Sequence, residues 1–406
     1  MTDGGSGGDP GDAAPPPGDG GVAIVGGGIG GLTAAVALRG AGVRVTVHER
    51  ASDLDRIQAG GGLMLWHNAV RALGLLGLQD ELAKIGHEIR VQEFRSWRGR
   101  RLARWPVSEV SERCGVPVYA VSRPELHRML TGQVGADLRL GARCAGFAAD
   151  PGGVTVTLAR PGGRREEIRR DLLIGADGLR STVRAALMPY EPPPRYAGYT
   201  AWQGVVPDPG VRPGTFVNIW GRGRRFVYYP LADGLVYWDA ITSDRIGHGL
   251  DALGSTGGQI VSEQFAGWPD PVAALIGATP PAEITPIDIY DRTPVRRWTA
   301  GRVTLLGDAA HPMAFNLGQG GCQSIEDALV LSQCVGAASS EGEALELYER
   351  RRLGRTTTIV RRSRAIGSLS RWEHPALCRF REAFMRVAFR RVVYRKTFDL
   401  ITGTDF

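Results

Sequence analysis

The sequence predicts an α/β fold in which a parallel-sheet domain is interleaved with a mostly antiparallel β-sheet domain and followed by C-terminal helices. Two observations predict it. Short apolar runs typical of buried strands alternate with helical patterns over the first 190 residues and again after residue 300. Between them, at about 195–290, lies a stretch rich in Tyr, Trp, Val and Pro with Gly-containing turns, which is typical of antiparallel strands. A hairpin at 88–105 is expected to join that sheet.

The elements follow in order from the amino terminus. Residues 1–20 are mostly Gly, Pro, Ala, Ser and Asp, and they are predicted to form a disordered tail because they cannot bury enough surface to offset the entropy of ordering. Apolar runs predict strands at 22–25, 43–48, 154–158, 172–175 and 303–306. Helical patterns predict helices at 29–40, 68–84, 123–134, 319–335 and 342–366.

Composition excludes several classes of protein. The 406 residues are 43% hydrophobic and 22% charged, which is typical of a globular chain of two or three domains. No apolar run of about 18 residues occurs, so no transmembrane segment is expected. The five cysteines are odd in number, widely spaced and without a Cys-x-x-Cys pair. A disulfide framework or metal site is therefore not expected. A cytoplasmic location is expected.

Positive charge is concentrated near the carboxyl terminus. Residues 350–396 carry fifteen Arg or Lys against two acids, whereas the net charge of the whole chain is only +7. The rest of the chain is therefore acidic, which argues against a nucleic-acid partner.

The same region contains an apolar helical spacing at Leu377, Phe380, Phe384 and Val387 or Ala388. We expect this helix to pack its apolar face on the enzyme's own body, because amphipathic helices usually face a core. The alternative is peripheral contact with an anionic membrane that delivers a lipophilic substrate.

The first motif is the Gly-x-Gly-x-x-Gly pattern of residues 26–31. It follows an apolar strand, opens a helix, and is followed by a second strand that ends in Glu49, eighteen residues after Gly31. Glycines at this spacing allow a tight turn, and the helix amino terminus faces a pyrophosphate while the acid accepts a ribose hydroxyl. This pattern predicts a Rossmann-type dinucleotide-binding unit.

The second motif is Asp177-Gly178, which follows the apolar strand 172–175 and precedes a basic helix start. By itself this is a strand–turn–helix in which Asp177 caps the helix.

The third motif is Gly307-Asp308-Ala-Ala-His-Pro after the strand at 303–306, followed by the glycine loop 318–321 before a long helix. A carboxylate at a strand end can accept a ribityl hydroxyl, and the loop N–H groups with the helix dipole can stabilise negative charge on a ring. Capping alone does not explain the cluster of glycines.

In this order the three motifs resemble those of the FAD-dependent aromatic hydroxylases, single-component monooxygenases with the para-hydroxybenzoate hydroxylase fold. The chain is most similar to the branch of salicylate-hydroxylase-like and zeaxanthin-epoxidase-like enzymes, over about residues 21–365. The resemblance implies a discontinuous FAD-binding domain, a substrate domain and a C-terminal helical region. Their predicted bounds are 21–87, 118–190 and 285–350 for the first, 88–117 and 191–284 for the second, and 351–406 for the third.

The resemblance also assigns residues to noncovalently bound FAD. Glycines of the first motif line the pyrophosphate, Glu49 and Arg50 lie at the adenosine ribose, and Asp177 supports both FAD and a transient nicotinamide cofactor. The full set is Gly26, Gly28, Ile29, Gly30, Gly31, Glu49, Arg50, Gly62, Leu63, Arg123, Asp177, Asp308, Gly318, Gln319, Gly320 and Gly321.

The implied reaction is hydroxylation or epoxidation of a hydrophobic or aromatic small molecule. NAD(P)H reduces the flavin, and O2 then forms a C4a-hydroperoxide; the flavin does this chemistry, so no catalytic side chain is assigned with certainty. A phenolic substrate would need a proton acceptor, whereas an olefin would not. His311 is expected to be structural.

The substrate pocket is assigned by analogy to Gln203, Phe216, Val227 and Tyr237 of the sheet, and to Phe315. Phe315 stands where the family usually has a proline between flavin and substrate, so the loop and the pocket shape are expected to differ. That the sheet residues only pack the sheet remains open.

Two rival functions remain. A related flavin-dependent isoprenoid reductase shares the first motif, but the glycine loop at 318–321 favours the oxygenase. A non-catalytic FAD-fold carrier of a lipophilic ligand is the second rival, and the intact motifs argue against it.

Overall fold

The computed structural model of the protein describes residues 20–54, 61–243, 256–388 and 402. The predicted tail at 1–20 lies outside these ranges apart from Gly20. The predicted strands and helices are confirmed to within four residues at each end, except for the helix predicted at 68–84.

The strands, in chain order, are β1 Val22–Val25, β2 Val45–His48, β3 Gly62–Leu65, β4 Gly86–Glu88, β5 Val91–Ser96, β6 Arg101–Pro106, β7 Tyr119–Ser122, β8 Leu138–Arg139, β9 Arg143–Asp150, β10 Gly153–Ala159, β11 Arg165–Arg170, β12 Leu172–Gly175, β13 Arg195–Pro207, β14 Thr215–Trp220, β15 Arg224–Pro230, β16 Leu235–Ser243, β17 Thr285–Asp291 and β18 Val303–Leu305. The α-helices are Ile29–Gly40, His67–Leu75, Gln79–Ile85, Val107–Cys114, Arg123–Val134, Thr182–Leu187, Thr256–Gln264, Val272–Ala278, Gly320–Ala337, Glu341–Ser370 and Pro375–Ala388.

Five strands form a parallel sheet in the order β18-β12-β1-β2-β8. Strand β1 is wholly buried, as expected of a parallel strand covered on both faces. In the register, Val25 lies opposite both Gly175 and His48, and Gly175 lies opposite Leu305. The four strands therefore end at the same level, so the segments that follow them meet at one edge of the sheet.

The single helix predicted at 68–84 is wrong, because the structure has two helices, His67–Leu75 and Gln79–Ile85. Gly77 lies between them with a φ of +78°, a left-handed conformation that ends a helix. The apolar spacing continues across the break because both helices face the same core.

A seven-stranded sheet in the order β17-β13-β16-β15-β14-β5-β6 forms the second layer. All neighbours are antiparallel except β14 and β5. The predicted hairpin is confirmed as β5 and β6, and it joins the sheet through that parallel pair. One face of the sheet is covered by the helices Thr256–Gln264 and Val272–Ala278, which leaves the other face for the parallel-sheet domain.

One segment lies on a different side of the predicted domain division. Strand β17 pairs with β13 in the antiparallel sheet, with Asp288 opposite Thr200. The sequence places residues 285–291 in the FAD-binding domain, because nothing local distinguishes an edge strand from the connection that follows it.

The C-terminal helix Pro375–Ala388 packs on the enzyme through a different face from the one expected. Cys378, Arg381 and Met385 are buried. The predicted face is instead exposed, at Leu377, Phe380, Phe384 and Val387. The reason is Arg381, whose guanidinium donates to the carbonyl oxygens of Leu369 at 2.9 Å and Gly221 at 2.5 Å and lies over the Trp220 ring.

Among the described residues, no helix has the length and hydropathy needed to span a bilayer.

Candidate active site

Three glycines of the turn after β1, Gly26, Gly28 and Gly31, have different structural roles. Gly26 has a φ of +112°, and a Cβ there would lie 2.3 Å from the carbonyl oxygen of Ala176. A Cβ on Gly31 would lie 2.0 Å from the carbonyl oxygen of Gly26, so the helix approaches the turn only without a side chain. A Cβ on Gly28 would meet nothing within 4 Å. Gly28 therefore borders open space, where the backbone can approach a pyrophosphate.

The next positions, Ile29 and Gly30, form the first turn of the helix. A Cβ on Gly30 would lie 2.8 Å from Leu306 Cδ2, so this glycine lets the helix start contact the segment that carries the third motif.

Glu49 closes the turn from the side of β2. Its carboxylate accepts hydrogen bonds from the N–H groups of Gly27 at 2.7 Å and Ala51 at 2.8 Å. Each oxygen keeps a further lone pair that can accept from a ribose hydroxyl. Arg50 is exposed beside it.

Asp177 has one oxygen in use and one without a partner. Oδ2 accepts from the N–H of Thr182 at 2.6 Å. The expectation that Asp177 caps this helix is wrong, because the N-cap is Ser181, whose hydroxyl accepts from the N–H of Arg184. Oδ1 is buried with no hydrogen-bond partner in the described part of the chain. Burial raises the pKa of Asp177 above its ordinary value, although the hydrogen bonds at the helix start oppose this. The orphaned oxygen points to a donor supplied by a ligand.

Asp308 lies in the short turn Gly307–Ala309 after β18. Its side chain is accessible, and a Cβ on Gly320 would lie 4.0 Å from its Oδ1. Desolvation by the surrounding protein nevertheless raises the pKa of Asp308, against the nearby charges of His311 and Arg123. A carboxylate that is both accessible and surrounded lines a narrow cleft, and Arg123 belongs to the same cleft.

The glycine loop leads into the helix Gly320–Ala337. Gly318 has a left-handed φ of +61°, and Gly320 and Gly321 are the first residues of the helix. Free N–H groups and the positive end of the helix dipole are therefore presented at Gly320 and Gly321, with no side chain in the way.

A buried polar network holds this loop in place. The Oε1 of Gln319 accepts from Asn68 Nδ2 at 3.0 Å and from Gln323 Nε2 at 2.9 Å. Asn68 Nδ2 also donates to Glu326 Oε1 at 2.5 Å, and Glu326 is paired with Arg352 and Arg355. The side-chain oxygen of Gln319 therefore anchors the loop, whereas its Nε2 is buried without a hydrogen-bond partner among the described residues.

His311 belongs to the same network. Its Nε2 lies 2.6 Å from Asp327 Oδ2, and Asp327 Oδ1 accepts from Arg352 at 2.6 Å. Burial alone would raise the pKa of Asp327, but the charges of His311 and Arg352 outweigh it and lower the pKa to about 2. His311 thus orients the Gly307–Asp308 turn, as a structural residue would.

Strand β3 joins the two layers. A Cβ on Gly62 would lie 2.8 Å from both the Tyr229 hydroxyl and Tyr237 Cγ. Leu63 contacts the glycine loop, since a Cβ on Gly321 would lie 3.2 Å from its Cδ2. Gly62 is therefore required by the tyrosines of the antiparallel sheet, a reason that the sequence does not reveal.

These features fit FAD. The open space at Gly28 and the lone pairs of Glu49 suit a pyrophosphate and a ribose. The orphaned oxygen of Asp177 and the accessible carboxylate of Asp308 are acceptors for hydroxyl groups. The helix start at Gly320 suits the negative charge of a reduced ring.

A cavity of about 370 Å³ lies between the two layers. Gly62, Leu63 and Gly318 line one side. The free face of the antiparallel sheet lines the other, and the C-terminal helices close the outer end with Leu369 and Phe384. All five residues predicted for the pocket line this cavity, namely Gln203, Phe216, Val227, Tyr237 and Phe315.

Three charged residues that were not predicted for the pocket also line the cavity, namely Arg225 and Asp239 of the sheet and Arg381 of the C-terminal helix. Arg225 and Asp239 lie on the sheet face opposite the flavin segments. They are 2% and 6% exposed. Arg225 Nε and Nη1 and Asp239 Oδ1 have no hydrogen-bond partner among the described residues. Burial lowers the pKa of Arg225 and raises that of Asp239 to about 7, although each charge partly offsets the effect on the other. Arg225 also lies over the Phe315 ring, 5.6 Å from its centroid.

A signal for both residues was present. Side chains alternate along a strand, so the assignment of Val227 to the pocket implies Arg225 and Tyr229, and that of Tyr237 implies Asp239. No such signal existed for Arg381 or Met385, which reach the cavity from a helix distant in sequence.

Comparison with known proteins agrees with this geometry. The profile of the FAD binding domain family matches residues 19–363. The chain is 43% identical to the aurachin C monooxygenase/isomerase of Stigmatella aurantiaca over 90% of this chain and 94% of that protein. It is 38% identical to the 3-amino-4-hydroxybenzoate 2-monooxygenase of Streptomyces cremeus, over 85% and 86%. The structure of Klebsiella pneumoniae HpxO complexed with FAD and uric acid has a TM-score of 0.85 at 31% identity, over 94% of this chain and 96% of that one.

Fold and site together define an FAD-dependent monooxygenase. The chain belongs to the FAD binding domain family, within its aromatic-hydroxylase-type members. The predicted family, fold class and FAD cofactor are thereby confirmed.

Proposed function

We propose that this enzyme hydroxylates an aromatic molecule that combines an apolar ring system with a polar group, using O2 and NAD(P)H in the cytoplasm. The observation that carries the proposal is the cavity with two unlike walls. One wall is formed by the segments assigned to the flavin ring, and the other combines aromatic side chains with a buried charged pair.

The aromatic part of the cavity favours a flat substrate. Tyr229 lies edge-on to Phe216 with centroids 5.5 Å apart and 4.9 Å from Tyr237, so the three rings form a continuous wall. Such rings stabilise an aromatic ligand by about 0.5–1.5 kcal/mol for each well-placed contact, beyond the burial of its surface.

The polar part of the cavity favours hydroxylation over epoxidation. Besides Arg225 and Asp239, the acceptors Gln92 Oε1 and Asn218 Oδ1 are buried without a partner among the described residues. A purely hydrocarbon olefin would leave all of these groups unsatisfied, at a cost of about 1–3 kcal/mol each. Relatives whose names specify 3-amino-4-hydroxybenzoate and urate agree with a polar aromatic substrate.

In this proposal FAD, reduced by NAD(P)H, supplies the chemistry that inserts one oxygen atom from O2. Gly28, Glu49, Asp177, Asp308 and the helix start at Gly320 would hold it. The chain's own work is to position the ring of the substrate between β3 and the sheet and to exclude water there.

The test combines a screen with an isotope. The FAD-loaded enzyme is given NADH or NADPH and a panel of phenols, aminophenols and N–H heteroaromatics, and NAD(P)H oxidation and products are measured. With labelled dioxygen, one labelled atom is expected in the product. A product formed equally well without oxygen would support the reductase, and no NAD(P)H oxidation under any condition would support the carrier.

A matched pair of variants tests the cavity itself. Val227→Phe narrows the cavity and should change which aromatic compounds are hydroxylated. Val387→Phe makes the same change on an exposed residue of the C-terminal helix that does not line the cavity, and it should leave this preference unchanged. If both variants keep the parent's preference, the substrate binds elsewhere.

A further inference from the structure

We propose that Asp239 is the proton acceptor that removes the proton from an ionisable O–H or N–H of the substrate, and that Arg225 holds the resulting anion. The inference rests on the proposed aromatic hydroxylation and names the substrate class more narrowly, as phenols or N–H heteroaromatics.

The position of the pair comes from strand register. Asp239 lies opposite Val227 on β15 and opposite Gln203 on β13. Arg225 lies opposite Ile241, two residues along from Asp239. The two side chains therefore share one face of the sheet as diagonal neighbours, at a typical spacing of about 7–8 Å. Both line the cavity.

The two charged side chains are buried, but they do not use all of their hydrogen-bonding atoms on each other. Arg225 keeps two nitrogens, Nε and Nη1, and Asp239 keeps Oδ1 without a hydrogen-bond partner in the described ranges. Buried charges without partners are costly, so a protein that keeps them is expected to have a ligand that satisfies them. A group that donates to Asp239 and accepts from Arg225 would satisfy both, and a phenol or a ring N–H beside a carbonyl is such a group.

Titratable neighbours of Asp239 are few. Arg225 approaches from β15, Tyr237 from its own strand and Tyr229 from β15. The Tyr237 hydroxyl is hydrogen-bonded to Asp239 and to Gln203. Burial raises the pKa values of Tyr229 and Tyr237 well above the ordinary value for tyrosine, so both side chains stay neutral. Asp239 is then the group of this face that changes charge near neutral pH, where its pKa of about 7 lies.

The proton transfer balances without any further reagent. The O–H bond of the substrate breaks, a new O–H bond forms on Asp239 Oδ1, and the electron pair stays on the substrate oxygen. One negative charge moves from the carboxylate to the substrate, while Arg225 stays positive throughout. The buried net charge is unchanged, and the electron-rich ring becomes a better target for the oxygen that the enzyme inserts. When the hydroxylated ring regains aromaticity, its C–H proton leaves to water. The substrate oxygen takes back the proton held on Asp239, and the carboxylate becomes charged again.

The experiment compares Asp239→Asn with a matched control. Asp233→Asn makes the same change at the exposed turn between the same two strands, where a φ of 58° suits Asn. Both holoenzymes are tested with the phenols and N–H heteroaromatics of the panel and with their O-methyl or N-methyl counterparts, which lack the proton.

We expect the parent and Asp233→Asn to hydroxylate at least one proton-bearing compound and none of the methylated counterparts. Asp239→Asn should keep its FAD and lose about 100-fold or more in kcat/KM for hydroxylation. In the parent, kcat/KM should rise with pH through about 7 as Asp239 ionises. In Asp239→Asn the rise of kcat/KM through pH 7 should disappear. Activity should recover above the phenol's own pKa, because the substrate is then already ionised when it binds.

Each other outcome decides between the two proposals. If no panel compound is hydroxylated by the parent, the proposed function fails and this inference with it. If methylated counterparts are hydroxylated as well as the parent compounds, or if Asp239→Asn keeps the parent's pH profile, the hydroxylase proposal stands and the role of Asp239 is refuted. An Asp239→Asn variant that loses activity equally at all pH values, without recovery at high pH, would show a structural role only.

Discussion

Two buried arginines lie in contrasting surroundings in this enzyme. Arg352 is paired with both Glu326 and Asp327 behind the glycine loop, and these charges raise its pKa even though it is fully buried. Arg225 is equally buried, but it has two nitrogens without partners among the described residues, and burial lowers its pKa. A buried charge therefore indicates a ligand only when the protein leaves its hydrogen-bonding groups unsatisfied.

The carboxylates of the two regions repeat the contrast. Asp327 is held by His311 and Arg352, which lower its pKa to about 2, whereas burial raises the pKa of Asp239 to about 7. The first carboxylate is permanently charged and structural. The second is balanced between two protonation states, as expected of a group that exchanges a proton.

The largest effect is expected from removing each arginine in turn. Arg352→Met leaves Glu326 and Asp327 buried without their shared partner, and it should lower the free energy of unfolding by about 3–5 kcal/mol. Arg225→Met removes a charge whose charged neighbour, Asp239, can take up a proton in response, so the change should be within about 1 kcal/mol. Urea unfolding of both variants at pH 7 measures this. Equal losses would mean that the two arginines do not differ in kind.

The second-largest effect is expected in the cofactor cleft, where Asp308 presents an accessible carboxylate. Asp308→Ala should weaken FAD binding by roughly 10–100-fold, because a hydrogen bond to a charged group contributes about 1.5–3 kcal/mol. Equilibrium titration with FAD measures the change, and Glu112→Ala, at an exposed acid of the helix Val107–Cys114, serves as the control. Unchanged FAD affinity in Asp308→Ala would remove Asp308 from the site.

A third test uses the pH dependence of stability. A carboxyl whose pKa is near 7 when folded, against about 3.9 when unfolded, binds more protons in the folded state, so stability falls as pH rises between these values. The free energy of unfolding of Asp239→Asn minus that of the parent should therefore be about 1–3 kcal/mol larger at pH 8 than at pH 5. Urea unfolding of the substrate-free holoenzymes at the two pH values measures this difference. A constant difference would show that Asp239 titrates normally.

The smallest effect is expected at Phe315, which joins the two regions through its contacts. Its ring lies edge-on to Tyr199 and beneath Arg225. Proline is compatible with this position, because Phe315 begins a short helical turn and Ala314 before it is extended, with φ −61° and ψ 144°. Phe315→Pro should keep FAD but change substrate preference, or increase the share of NAD(P)H that yields hydrogen peroxide, by a few-fold for a ring contact of about 0.5–1.5 kcal/mol. If product and peroxide yields match the parent's, Phe315 only packs the loop.

The segments proposed to hold FAD follow from local patterns in the sequence. Gly26, Gly28, Gly31, Glu49 and Asp308 could be predicted because each lies in a local pattern of strand, turn and helix. The parallel register then brings the strand ends together wherever such strands pair, so local information suffices. The four predicted sheet residues of the pocket line the cavity together with Phe315 of the loop, and the side-chain alternation that places the four on one face is a local property of each strand.

The polar groups that the pocket leaves for a ligand depend on long-range packing. Arg225 and Asp239 become a pair through the register of β15 and β16, and whether their atoms find protein partners depends on every element packed around them. The face of the C-terminal helix was likewise decided at a distance, because Arg381 found the carbonyl oxygens of Leu369 and Gly221 and turned Leu377 and Phe380 outward. Satisfaction of a buried polar group is a property of its whole surroundings, and a pattern along one strand or helix does not contain it.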